Sequence, residues 1–211
     1  MKHQARIVDW LCAFVVLLAI PWIGHARQSA QETPQSAERE KLLATIRDPG
    51  LRESDPDRVM QAMQRLGMMK DTGAIDDLIP LLTFRRLYPE DKDPSLARDL
   101  NDFRTSARRF PAIEALVLIG RPALPALVRV IGASDPDSLE SKCALEAVRW
   151  ILLEIYESGT PNPEKSRQRV WSEAAKYLAQ AASEASSPEA KERLRLGAEK
   201  LKHREDYKRP Y

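Results

Sequence analysis

The chain has 211 residues, enough for one medium domain with a continuous core. Apolar residues make up 43% and charged residues 30%, the balance of a soluble helical protein, while scarce Gly (8) and frequent Pro (15) fit many short helices with Pro between them. A formal charge of +2 provides no global field that would argue for a nucleic acid or a strongly acidic partner.

Taken in order, the chain opens on what reads as a targeting segment. Lys2 and Arg6 make a positive start, and Trp10 to Ile23 is an apolar run shorter than the roughly 20 residues of a comfortable membrane span. Gly24, His25 and Ala26 place small residues where a signal peptidase cuts, with Ser29-Ala30 as a second possible site. The expectation is a signal peptide over residues 1–26 and an exported protein, periplasmic or extracellular. The alternative is that residues 10–23 stay in the inner membrane as an anchor and supply the only membrane contact. Cleavage would remove His3, Cys12 and His25 and leave His203 and Cys143. One remaining Cys rules out an internal disulfide, and one His with one Cys is too few for a usual zinc site. No metal and no cofactor are expected.

Residues 27–37 are polar and read as a flexible linker. Glu38 to Arg47 has Leu42, Leu43 and Ile46 on one side of a short helix, which Asp48-Pro49-Gly50 is expected to stop. Helix starts then share a spelling. Asp55-Pro56, Asp93-Pro94, Asp135-Pro136, Asn162-Pro163 and Ser187-Pro188 each put a capping oxygen before a Pro, and Pro at the first helical position loses no needed N–H. Helices are predicted near 55–67, 72–83, 109–119, 122–133, 137–157, 163–185 and 188–205, with no strand. The domain is thus expected over 38–205, with a disordered tail at 206–211.

The apolar pattern repeats. Placing Gly67 on Gly120 puts Ala62 on Ala115, Met63 on Leu116 and Leu66 on Ile119, and the following helices, 74–82 and 123–131, align too. A third copy matches in its first helix, where Ala144, Glu146, Ala147, Val148 and Ile151 fall on Ala112, Glu114, Ala115, Leu116 and Ile119. Its second helix is taken to be Pro163 to Ser183. Gly67 and Gly120 are read as ending their helices. Small Ala residues let helix axes approach, and larger apolar residues fill the seam.

Ala62-x3-Leu66-Gly67 with Ala74-Ile75-x2-Leu78-Ile79-Pro80-Leu81-Leu82, and Ala115-x3-Ile119-Gly120 with Ala123-Leu124-Pro125-Ala126-Leu127, resemble HEAT-like repeats. The resemblance includes the short bacterial form that is similar to the repeats of phycobilisome lyases, and covers about residues 55 to 155. It implies an all-α, short α-solenoid of antiparallel helix pairs and, for most families of this look, a non-enzymatic scaffold or protein-binding module. A lyase-like enzyme handling a pigment or small molecule is the alternative it implies, and a membrane-tethered envelope scaffold is a third. Two departures stand out: a long insertion at 84–109, and a third copy without the Gly after its first helix.

The insertion carries Arg85, Arg86, Tyr88, Arg98, Arg104, Arg108 and Arg109 among several acids. Arg forks grip carboxylates or phosphates at two points and an aromatic can stack, so these residues are the candidate partner-binding set. The plainer reading is a solvated loop whose charges pair locally. Cys143 reads as a half-buried structural thiol, since a nucleophile needs a base and His203 lies in a charged tail. Trp150 and Trp171 read as packing residues. No spaced pair of carboxylates, Gly-rich phosphate loop or Gly-x-Ser-x-Gly turn provides a catalytic residue. A protein partner is expected, on 72–83, 122–133 and the insertion.

Overall fold

A computed structural model describes residues 34–85, 109–157 and 163–203. The chain divides into Met1–Ala37 and Glu38–Tyr211, and the second unit holds all the described helices except the first turn of one. The targeting segment, most of the insertion, and the tail beyond His203 lie outside the described residues.

The described residues are helical, with no strand among them. In chain order the helices are α1 (Pro34–Arg47), α2 (Pro49–Ser54), α3 (Pro56–Met68), α4 (Ile75–Leu78), α5 (Pro111–Ile119), α6 (Leu124–Ala133), α7 (Leu139–Glu157), α8 (Pro163–Glu184) and α9 (Pro188–Lys202). Among these no single helix is long and apolar enough to cross a membrane.

Several local expectations are corrected. The linker ends earlier than residue 37, because α1 begins at Pro34. Asp48-Pro49-Gly50 does not only stop α1. The Asp48 carboxylate accepts the N–H groups of Gly50 and Leu51 at 2.8 and 3.3 Å and starts α2. Asp135-Pro136 makes a turn instead of a helix start: Asp135 accepts the Asp137 N–H at 2.8 Å, and the Ser138 hydroxyl, accepting from Ser141 at 3.1 Å, marks the start of α7. Residues 72–83 are not one helix. They form 3-10 turns at Thr72–Ala74 and Ile79–Leu81 on either side of α4. Pro80 lacks the N–H that an α-helix there would use. The start signals at Asp55 and Ser187 behave as expected, accepting from Arg58 N–H at 3.2 Å and Ala190 N–H at 3.1 Å.

The two aligned glycines play different parts. Gly120 ends α5 with φ 85°, a conformation that favours Gly. Gly67 lies inside α3, which ends instead at Lys70, in the left-handed region with φ 52°. The N–H of Asp71 reaches Leu66 O at 3.2 Å and that of Lys70 reaches Gly67 O at 2.9 Å, the paired bonds of a Schellman end. Gly67 serves packing: a Cβ there would lie 2.7 Å from Ala115 Cα and 3.0 Å from Ala115 O on α5. Both are backbone atoms, so neither can step aside. Gly67→Ala is therefore expected to destabilise by about 1–3 kcal/mol as overpacking, although Ala is the better helix former. A urea midpoint that stays level or rises would mean that α3 and α5 stand further apart.

The core is continuous. α3 packs on α5, and α5 on α7, so the first helices of the three copies lie in a row. Val59, Met63, Leu66, Ile113, Leu116, Leu145 and Val148 fill it without exposure. The Ile79–Leu81 turn touches α6, and α6 packs on both α7 and α9. The expected third pair, α7 with α8, packs together. The neighbour that α6 packs against is α9, while α8 packs on α7 and α9. Gly197 of α9 marks the junction, since a Cβ there would come within 3.3 Å of Ile131 on α6 and Leu145 on α7 and within 3.5 Å of Leu178 on α8. The last helix is part of the core, with Leu194, Ala198 and Leu201 buried. Lys200 ties it to the α6–α7 turn through Pro136 O at 2.7 Å and Asp137 at 2.5 Å.

Candidate functional site

Because α6 and α8 both rest on α9, a trough is left between them. It has a volume of about 650 Å³, within the range of ligand sites. One wall is α6, with Val128, Arg129, Gly132 and Ala133; the other is the end of α8, with Ala181 and Glu184, and Ala185 just past it. The first half of α9 supplies the floor through Ala190 and Leu194. The lining mixes these apolar residues with Arg129, Glu184, Ser186, Ser187, Glu189 and Arg193, and most of its exposed surface is apolar.

Local chemistry holds the trough open. Ser187 caps α9, and Arg193 donates to the last carbonyls of α6, Ala133 O and, at 3.4 Å, Gly132 O. That places a cation at a helix C-terminus, where the backbone dipole favours it. α9 lies in contact here, since a Cβ on Gly132 would stand 3.4 Å from Ala190 Cβ. Glu189 at the start of α9 has a carboxyl held below its ordinary range by its own backbone N–H first and then by the Ser187 hydroxyl. It is a charged acid at neutral pH.

A second cluster lies in the α7–α8 seam. Glu146 has no exposed surface, and Arg149 one turn on is nearly as buried. The Arg149 Nε donates to Glu146 Oε2 at 3.1 Å and its Nη2 to Oε1, while the Trp150 indole N–H donates to Oε1 at 2.6 Å. The Arg149 guanidinium also lies over two rings, 4.0 Å from the Trp150 centroid and 5.1 Å from that of Trp171. The two Trp residues pack as expected, but against a buried ion pair that sequence reasoning missed. Its signal was the spacing Glu146, Arg149, Trp150, which is i, i+3, i+4 on one helix face.

Two of the candidate partner-binding residues are described. Arg85 is exposed just after the Ile79–Leu81 turn, and Arg109 is half-buried immediately before Phe110. Arg86, Tyr88, Arg98, Arg104 and Arg108 lie outside the described residues. The insertion is shorter than 84–109, because Phe84 packs on the core, and Phe110 just beyond Arg109 has no exposure. Cys143 is not half-buried but fully buried, and burial first, then the charges of Glu146 and Glu140, pushes its thiol up to about 12. That keeps it protonated and unreactive. His203 is an exposed residue ending α9. Among the described residues no three His, Cys, Asp or Glu side chains are grouped to hold a metal ion. No protein-family model, curated protein or solved structure matches this chain.

Proposed function

We propose that the protein is an exported, non-enzymatic binding or scaffold module that takes up a protein partner in the trough between α6 and α8. In this reading the helices form a short HEAT-like stack. The row α3, α5, α7 supplies the first helices of three copies, and α4, α6 and α9 lie along the second side. The stack binds with its second side, as the 122–133 segment suggested. Export rests on the positive start and apolar run of residues 1–26. The observation that carries the binding role is the open trough itself, at the junction of three helices, with apolar side chains between charged ones. Such a surface can receive apolar side chains of a partner between polar contacts at its edges.

The test is photo-crosslinking in the cells that make the protein. A benzophenone amino acid in place of Ala185, on the trough wall, should yield one discrete adduct with a second protein chain. The same group in place of Arg58, exposed on α3, should not. Absence of an adduct from position 185, or the same adduct from both positions, would contradict the proposal.

A further inference from the structure

We draw no further inference here: the strongest candidate, the trough between α6 and the end of α8 over the first half of α9, belongs to the site already described, and nothing in the structure shows what covers it.

Discussion

Glu146→Ala is expected to destabilise the protein by about 3–5 kcal/mol, the usual size when one partner of a buried ion pair is removed. Arg149 would keep its charge in a seam where water does not reach it, with Nε and Nη2 both deprived of their acceptor. Trp150 would lose the acceptor for its indole N–H at the same time. Glu146→Gln should fall well short of that loss, since its amide oxygen can still accept from one of these donors. The double change Glu146→Ala with Arg149→Met should recover part of the loss, because it removes the unpaired buried charge. Urea melts of the four proteins decide the matter. A small loss for Glu146→Ala alone would show that water reaches the pair and that the seam is looser than described.

Leu116→Ala ranks next. Leu116 has no exposed surface on α5, which packs on both α3 and α7, so its side chain lies at the centre of the row of first helices. Removing it leaves a cavity that packed backbones cannot close, and about 2–5 kcal/mol is expected. Arg65 on α3 faces outward, with its guanidinium on the Glu38 carboxylate at 2.7 Å in an exposed pair. Arg65→Ala should leave the midpoint almost unmoved. Comparable losses in the two variants would mean that the facing of these helices is wrong.

The helices of this chain were legible where apolar period and cap chemistry agree. α3, α5, α7, α8 and α9 fall within a few residues of where Leu, Ala and Asp-Pro or Ser-Pro spacing puts them. Legibility ended where one residue type serves two physical ends. Gly67 and Gly120 occupy the same place in the repeat, yet one admits a neighbouring backbone and the other adopts a positive φ. The stop after α3 fell to Lys70, a residue with no preference for that conformation. Asp48 looked like an end and was also a beginning.

The site was harder to see. Period shows that a helix has an apolar stripe and not which helix covers it, so nothing in it placed α9 against α6. The trough follows from that arrangement, and its lining comes from three helices spread over residues 128 to 194. Its small residues, Gly132, Ala181, Ala185 and Ala190, carry no signal of their own in a helical chain rich in Ala. The buried Glu146 and Arg149 were visible as spacing. In sequence, however, the pair looks the same as an exposed helix pair, and only packing distinguishes the two.

Everything proposed for the trough depends on α9 lying against α6, two helices far apart in the chain. The most direct measurement is disulfide formation between their contact points. With Cys143 replaced by Ser, the double variant Gly132→Cys with Ala190→Cys places its two Cβ atoms about 3.4 Å apart, close to the spacing a disulfide needs. Air oxidation of the folded protein should form the bond within the monomer, seen as loss of both thiols by mass spectrometry with no change in oligomer mass. A folded double variant that keeps both thiols free under oxidant would show that α9 lies elsewhere and that the trough between α6 and α8 does not exist in this form.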